Sequence, residues 1–384
     1  MLYYVSSSEI TGKMAHSIQQ MRMCAAFARQ GQQVCFVHPA HGRSVCWDDI
    51  ADYYGLETRF EIEDVPTVEG FLNSVPYAEL LSTSVSLAGT LFSKLLTGAM
   101  EPSDIVYCRD YYGAFVFNEL LRLIPEHKRP ILAFEHHDII SARMKRRFYP
   151  SIDAVIPITH ALESYGIDTF GISPENTFVA PDGVDIDPYE GKPKRAAREE
   201  LNLPIDRTIV MYTGHLYPGK GVNVLVRAAS SVDGLVYVVG GHESDIERVQ
   251  SSFDVPENVV FTGFVQPASI PSYQLAADVL VAPYTNESRD FISPLKLFEY
   301  MAAGRPIVAT SRSVLKEVLT DGENALLAEP GDSHELAVRI NDLVRSEELR
   351  EEIASSARDT ATEYTWDERA KSILEFLGVG SSQS

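Results

Sequence analysis

Lys296 and Glu299 place a cation and a carboxylate one turn apart, near the start of a short helix that the sequence predicts after residue 292. Ser293 and Pro294 are residue types that are common at the N-cap and at the first position of a helix. A helix start leaves backbone N–H groups unpaired and carries a positive dipole end, so an anion such as phosphate can bind there. A phosphate anchor beside a carboxylate suits a nucleotide sugar, whose diphosphate needs donors and whose ribose needs an acceptor. An ordinary capped amphipathic helix is the alternative.

A second segment, residues 208–229, supports the same interpretation. It has the pattern of an apolar strand at 208–212, a glycine-containing turn and an amphipathic helix, an arrangement that places donors at a ligand. Lys220 lies in that turn. A lysine beside a glycine is weak evidence alone, because it is usually solvated surface. The two segments together predict a diphosphate site more strongly than either does separately.

Six stretches of the second half resemble the C-terminal half of retaining family 4 glycosyltransferases, and they occur in the same order. They are APDGVDIDPY (180–189), YTGHLYPGKG (212–221), VVFTGFV (259–265), AADVLVAPYTNES (276–288), SPLKLFEYMAAGRPIVA (293–309) and DGENALLAEPGD (321–332). Within this family, the chain resembles a subgroup with an SPLKLFEYMA turn. The first half matches more loosely, through residues 6–34 and the AFEHHD run at 133–138. The resemblance implies a GT-B fold.

The resemblance also implies roles for individual residues. Lys220 matches the basic residue that neutralises the donor diphosphate, and Glu299 matches the carboxylate that binds the donor ribose. His137 matches the histidine beside the transferred sugar and the acceptor, which makes it the third catalytic candidate. The implied donor-binding residues are Gly12 and Lys13 in the loop after the first strand, Gly214, His215, Val265 near the nucleobase, Ser293, Pro294, Leu295, Lys296 and Leu297.

Two positions depart from the family pattern. Phe291 stands where many members carry a glutamate that helps to hold the sugar, and Glu287 is only a speculative substitute. His215 stands where an arginine is usual, so one of the two cations at the diphosphate depends on pH, because an unperturbed imidazole titrates near pH ~6.5. We interpret both changes as variation within the subgroup rather than as loss of activity.

The function that the resemblance implies is a retaining transfer of a hexose-type sugar from a nucleotide-diphosphate sugar, UDP- or GDP-linked, to a hydroxyl acceptor. The expected setting is the synthesis of a glycan, glycolipid or cell-envelope polysaccharide, with no metal and no further cofactor. The donor is expected on the second domain and the acceptor on the first. Two alternatives remain open, namely a nucleotide-sugar epimerase of the same architecture and an inactive nucleotide-sugar-binding scaffold.

The composition indicates an acidic enzyme that does not bind nucleic acid. The 384 residues include 33 basic and 54 acidic ones, and the net charge of −21 would repel a phosphate backbone. No apolar run approaches the ~20 residues of a membrane span, and the N-terminus has the pattern of a strand rather than a signal peptide, so a cytoplasmic location is expected. The basic RMKRR run at 143–147 and the apolar stretch 85–96 also fit peripheral contact with an anionic inner membrane surface, as a lipid-linked acceptor would require.

Alternating strands and helices predict an α/β protein with two Rossmann-like parallel-sheet domains facing a cleft. We expect an acceptor-binding domain at 1–189, a linker at 190–207, a nucleotide-sugar-binding domain at 208–362, and a C-terminal helix at 363–384 that returns to the first domain and has a frayed end. Helices are predicted at 14–29 and 113–123. The predicted strands are 2–6, 34–38, 105–108, 131–134, 154–156 and 177–179 in the first half, and 208–212, 236–239, 259–261, 279–282, 307–309 and 325–328 in the second.

Overall fold

The computed structural model describes residues 1–8, 10, 15–40, 46–67, 78–138, 148–289 and 291–379. The chain divides into two compact units, the first formed by Met1–Pro181 with Trp366–Ser384 and the second by Asp182–Thr365. Each unit contains its own six-stranded parallel sheet. The predicted α/β class with two Rossmann-like sheets is therefore confirmed.

The sheet of the first unit has the strand order β3-β2-β1-β4-β5-β6. Its strands are β1 Leu2–Val5, β2 Val34–Ala40, β3 Glu61–Pro66, β4 Ile105–Cys108, β5 Ile131–His136 and β6 Ala154–Pro157. Its helices are Ala15–Arg29, Trp47–Tyr54, Ala78–Thr97, Tyr111–Leu121, His160–Phe170 and Trp366–Phe376. The order reverses between β1 and β4, so loops leaving these two neighbouring strands diverge to opposite sides of the sheet.

The sheet of the second unit has the strand order β12-β11-β10-β7-β8-β9, with its reversal between β10 and β7. Its strands are β7 Ile209–Thr213, β8 Leu235–Val239, β9 Val259–Gly263, β10 Val279–Ala282, β11 Ile307–Thr310 and β12 Leu326–Ala328. Its helices are Lys194–Glu200, Val222–Ala229, Glu243–Ser251, Ile270–Ala276, Leu295–Ala302, Ser333–Arg345 and Glu347–Ala361. Every residue of β7 and β10 is buried, as expected when helices cover both faces of a parallel sheet.

Two strand predictions in the first half were wrong. The prediction missed β3, whose sequence EIEDVP is charged and mostly half-exposed, because among the described strands it is an edge strand and pairs with β2 alone. Charged residues and proline are common on edge strands, since they discourage pairing with another chain. Residues 177–179 were predicted as a strand, but Thr177 makes only an isolated bridge to Val155 of β6.

The structure also divides the chain at different residues from those predicted. The predicted linker contains the Lys194–Glu200 helix, whose Arg198 side chain is 3% exposed. The Arg198 guanidinium donates to Asp278 Oδ2 at 2.6 Å and to the Ala276 carbonyl at 2.8 Å. These bonds join the Lys194–Glu200 helix to β10 and to the helix before it. The predicted linker is thus part of the second unit, which begins at Asp182 rather than at 208.

Within the described ranges, no helix combines the length and the apolar character needed to cross a bilayer. The apolar stretch 85–96 lies in the Ala78–Thr97 helix, where Val85 is 50% and Leu96 is 64% exposed. The basic run at 143–147 lies outside the described residues. The structure thus describes only one of the two elements on which the membrane hypothesis rests.

Candidate functional site

The loops after β7 and β10 leave the second sheet side by side, because these two strands are paired in parallel. In a parallel sheet, ligands bind outside the carboxyl ends of the strands at the point where the strand order reverses. The loop after β7 carries Gly214 and Lys220, and the loop after β10 leads to the Leu295–Ala302 helix with Lys296 and Glu299. The topology therefore brings these predicted residues together beyond the carboxyl ends of β7 and β10.

A tight turn holds Lys220 in place. The Lys220 N–H donates to the Tyr217 carbonyl at 3.1 Å across Pro218 and Gly219, and the φ of +86° at Gly219 is that of a type II turn. Gly221 follows with φ +75°, and a Cβ there would lie 1.5 Å from the Pro283 carbonyl oxygen. The loops after β7 and β10 thus touch backbone to backbone at a position that only glycine can occupy.

Lys296 and Lys220 form a pair of cations on tyrosine rings. The Lys296 Nζ lies 3.7 Å from the centroid of the Tyr212 ring and 5.6 Å from that of Tyr284. The Lys220 Nζ lies 4.9 Å from the centroid of the same Tyr284 ring. Ring faces attract cations, so the two tyrosines hold the ammonium groups near the carboxyl ends of β7 and β10. A Cβ at Gly214 would lie 2.8 Å from the Lys296 Nζ, so the glycine leaves room for this ammonium group.

The cation pair is electrostatically unfavourable without an anion. The Lys296 Nζ is buried and has no hydrogen-bond partner among the residues that the structure describes. Burial, and then the charge of Lys220, hold the pKa of Lys296 well below its usual range, while Glu299 acts in the opposite direction. Burial also lowers the pKa of Lys220. Because buried ammonium groups that repel each other disfavour the charged form, an anion placed between them would relieve both costs.

The carboxylate of Glu299 is oriented by a buried glutamine that the sequence did not point to. Gln274 donates from Nε2 to Glu299 Oε2 at 2.9 Å and to Thr213 Oγ1 at 3.1 Å. Its Oε1 accepts a bond from the Tyr189 hydroxyl at 2.6 Å. Since all of these bonds fix the direction of the amide, Gln274 holds the Glu299 carboxylate in one orientation.

The helix that carries Lys296 starts one residue later than predicted. Pro294, rather than Ser293, is the N-cap, and the helix begins at Leu295 without a side-chain cap. The Ser293 hydroxyl instead accepts the backbone N–H of Asp182 at 2.8 Å. Leu297 is 1% exposed and packs in the core, so it can contribute to a ligand only through its backbone. No side chain of the described residues caps this helix, so its first N–H groups are suited to binding an anion.

The other predicted donor-binding residues of the second unit lie at the carboxyl ends of β7 and β9. The His215 ring stacks on Tyr217 with centroids 4.9 Å apart and planes 8° apart. Val265 is partly buried against the core. Glu287, the speculative substitute at the sugar, is exposed in a loop whose Ser288 carbonyl accepts from Arg312 at 2.9 Å. Their roles stay predictions.

In the first unit, the His137 ring lies just after β5 and both of its nitrogens have partners. Nε2 faces Glu135 Oε1, and Nδ1 lies 3.3 Å from an Arg109 nitrogen. Gln19 and Tyr107 also donate to the Glu135 carboxylate, which is 0% exposed. Because arginine can only donate, Nδ1 is the acceptor and the ring proton is on Nε2, directed at Glu135.

A second arginine, on the C-terminal helix, also contacts the Glu135 carboxylate. Arg369 lies 3.4 Å from Glu135 Oε1 and donates from Nε to the Pro181 carbonyl at 2.7 Å. Burial would raise the pKa of Glu135, but Arg369 and then His137 outweigh it and hold that pKa below its usual range. Glu135 is therefore ionised, and Arg369 ties the Trp366–Phe376 helix to β5.

His137 gives the stability of the protein a pH dependence with a defined sign. Burial and then the Arg109 charge lower the pKa of His137 to about 4. The unfolded state, with a histidine pKa of ~6.5, binds a proton between these values while the native state does not, so the free energy of unfolding falls as pH drops below ~6.5.

We expect His137→Asn to reduce this slope between pH 5 and 6.5 by up to about 1.4 kcal/mol per pH unit. Urea unfolding at several pH values measures it, and His160→Asn, at an exposed position, is the control. Equal slopes in wild type and in the His137 variant would contradict the neutral state of this ring.

Two predicted donor-binding residues, Gly12 and Lys13, lie outside the described residues. In the described part of the chain, no three His, Cys, Asp or Glu side chains are grouped closely enough to hold a metal ion.

Comparison with family models gives matches in both halves of the chain. The model described as Glycosyltransferase Family 4 matches residues 19–188, and the model described as Glycosyl transferases group 1 matches residues 207–346. D-inositol 3-phosphate glycosyltransferases are similar in sequence. The protein of Xylanimonas cellulosilytica is 27% identical over 58% of this chain and 56% of its own, and that of Acidothermus cellulolyticus is 30% identical over 54% and 49%. The chain thus spans about half the length of the relatives it matches.

Solved structures of similar fold cover the chain more fully. Anabaena HepE in complex with UDP-glucose has a TM-score of 0.72 at 20% identity, over 98% of this chain and 99% of its own. Sucrose-phosphate synthase from Thermosynechococcus elongatus has a TM-score of 0.77 at 18% identity, over 98% of both chains. At such identities the likeness shows the fold, which is the GT-B fold of glycosyltransferases.

Proposed function

Because the chain is of the GT-B glycosyltransferase type, we propose that it transfers a hexose-type sugar from a nucleotide-diphosphate sugar to a hydroxyl acceptor with retention at the anomeric carbon. The observation that carries the proposal is the pair of half-buried lysines, Lys220 and Lys296, the second with a buried Nζ, beside the oriented carboxylate of Glu299. The three side chains lie where the strand order of the second sheet reverses. The diphosphate of a nucleotide sugar would supply an anion for these lysines, and its ribose would supply hydroxyl donors for Glu299.

In the proposed reaction, the C1–O bond to the diphosphate breaks and a C1–O bond to the acceptor forms on the same face of the sugar. The acceptor proton passes to an oxygen of the departing diphosphate, so no side-chain base is required. Lys220 and Lys296 stabilise the negative charge that develops on this leaving group. Preorganised donors of this kind typically contribute ~3 to 4 kcal/mol each to lowering the barrier.

We place the acceptor on the first unit, near His137, and the reaction in the synthesis of a glycan, glycolipid or envelope polysaccharide. A UDP-linked donor is favoured because HepE, of the same fold, was solved with UDP-glucose. The sequence relatives are named for transfer to D-inositol 3-phosphate, so a phosphorylated polyol is a reasonable first acceptor to test. We propose a cytoplasmic location. If the acceptor is lipid-linked, the enzyme would act at the inner surface of the membrane.

Proton NMR of the protein with UDP-, GDP- and ADP-sugars tests the proposal and separates it from its alternatives. Slow release of free nucleotide from one donor, with the freed sugar first appearing in the anomeric configuration of the donor, is the expected result. Conversion of one nucleotide sugar into its epimer without release would favour an epimerase. Binding without any change in the donor, even with added acceptors, would favour the inactive scaffold.

A further inference from the structure

Arg109 directly follows β4, at the point where the strand order of the first sheet reverses. Its backbone N–H donates to the Val5 carbonyl of β1 at 3.2 Å, which fixes the residue over the carboxyl ends of both strands. This is the position at which parallel sheets bind ligands. Arg109 is partly buried, so its side chain is held by the protein and is still accessible.

The guanidinium of Arg109 has donors that the described residues do not satisfy. Its single hydrogen bond among them goes to Nδ1 of His137, a neutral acceptor, at 3.3 Å. Its Nε is buried and has no hydrogen-bond partner in the described part of the chain. An unsatisfied buried donor on a charged group is costly, and a guanidinium pairs best with two oxygens of one anion.

The charges around Arg109 do not balance. We define the Arg109 cluster as Arg109, His137, Glu135, Arg369 and Tyr107. It contains two guanidinium groups and one carboxylate, and the carboxylate is directly paired with Arg369 at 3.4 Å. His137 is neutral because Arg109 donates to one ring nitrogen and Glu135 accepts from the other. The cluster therefore carries one net positive charge, located on Arg109.

Two described titratable groups near Arg109, Asp110 and His16, do not neutralise its charge. Asp110 is the N-cap of the Tyr111–Leu121 helix, and its Oδ2 accepts the Gly113 N–H at 2.8 Å and the Ser84 hydroxyl at 3.1 Å. His16 is uncharged at neutral pH, because burial and then the Arg109 charge lower its pKa to about 4. Both groups leave the positive charge of Arg109 in place.

We propose that Arg109 binds a phosphate group of the molecule that receives the sugar. His137 and Glu135 act as positioning residues that hold the guanidinium through one hydrogen-bonded chain, Glu135 to His137 to Arg109. A phosphate would accept from the free edge of the guanidinium and neutralise the cluster. The proposal rests on the function proposed above in so far as it calls this ligand the acceptor, whereas the anion site itself is a property of the first unit.

Calorimetric titration of inorganic phosphate into the full-length protein tests this site directly. The protein is first saturated with UDP, so that the diphosphate site of the second unit is filled. We expect wild type to bind phosphate and Arg109→Gln to bind it at least tenfold more weakly, with the affinity for UDP unchanged. Arg122→Gln, which removes a partly exposed arginine of the same unit paired with Glu119, should match wild type.

Absence of phosphate binding by UDP-saturated wild type, or equal binding by Arg109→Gln, would overturn the inference and leave the proposed function intact. Failure of wild type to bind UDP would count against the proposed function, while the difference between wild type and Arg109→Gln would still report on the anion site. If Arg109→Gln does not fold, Arg109→Lys replaces it. That variant keeps the charge but loses the planar guanidinium with its paired N–H donors, so we expect it to bind phosphate at least threefold more weakly than wild type.

Discussion

Replacing Lys296 by methionine should weaken the binding of UDP while it raises the stability of the protein. The loss of one charge-assisted contact to the diphosphate corresponds to about 2 to 3 kcal/mol, or roughly 30- to 150-fold in affinity. The gain in stability arises because the Lys296 Nζ is buried near the charge of Lys220, without a hydrogen-bond partner in the described residues. Replacement of an unpaired buried charge by an apolar side chain of similar shape removes that cost, and we expect a gain on the order of 1 kcal/mol.

Calorimetry with UDP and urea unfolding of the same samples measure both effects. Lys316→Met is the matched control, because Lys316 is an exposed lysine of the same unit and should change neither quantity appreciably. A Lys296 variant that is less stable and binds UDP as wild type does would mean that this lysine is structural. The opposite signs of the two effects are what distinguish a binding residue from a packing residue here.

Gly221→Ala should destabilise the second unit by about 4 kcal/mol or more, a size found only when a substitution breaks a specific feature of the fold. The new Cβ would lie 1.5 Å from the Pro283 carbonyl oxygen, so the loops after β7 and β10 must separate. That separation would also displace Lys220 from Tyr284, and UDP binding should be lost with the stability.

Gly322→Ala is the control that isolates this clash. Gly322 has φ +76°, close to the +75° of Gly221, but a Cβ there meets nothing within 4 Å. The left-handed conformation costs an alanine about 1 to 2 kcal/mol at either site, so the difference between the two variants measures the contact between the loops. Similar losses of unfolding free energy in thermal or urea unfolding would contradict the close packing of these loops.

The sequence predicted the second sheet well because its strands are short and mostly apolar, and all of them except the edge strand β9 are largely buried. All six strands of that unit were placed, since a parallel sheet covered by helices leaves a run of aliphatic residues between polar turns. The same signal failed for β3, where the edge position favours charge. The error at Ser293 has a local cause, because a serine followed by proline fits both an N-cap and the preceding turn.

The residues that orient the site could not be found from sequence. Gln274 contacts Glu299 and Tyr189 from a separate helix, and Glu135 is joined to Gln19 and Arg369 from distant parts of the chain. Glutamine and arginine at these positions form no local pattern, so only the tertiary fold identifies their partners. Lys296 was noted as a charge at a helix start, but its pairing with Lys220 over Tyr284 became visible only in the structure.

The most direct test of the account is the rate of nucleotide release from the donor that wild type turns over, compared with Lys220→Ala, Glu299→Ala and Lys316→Ala. We predict that the first two variants lose at least ~100-fold in rate, because each removes a group that we propose to bind the diphosphate or the ribose, and that the third releases nucleotide at the wild-type rate. Release at the wild-type rate by both Lys220→Ala and Glu299→Ala would contradict the proposal that the donor binds at the carboxyl ends of β7 and β10.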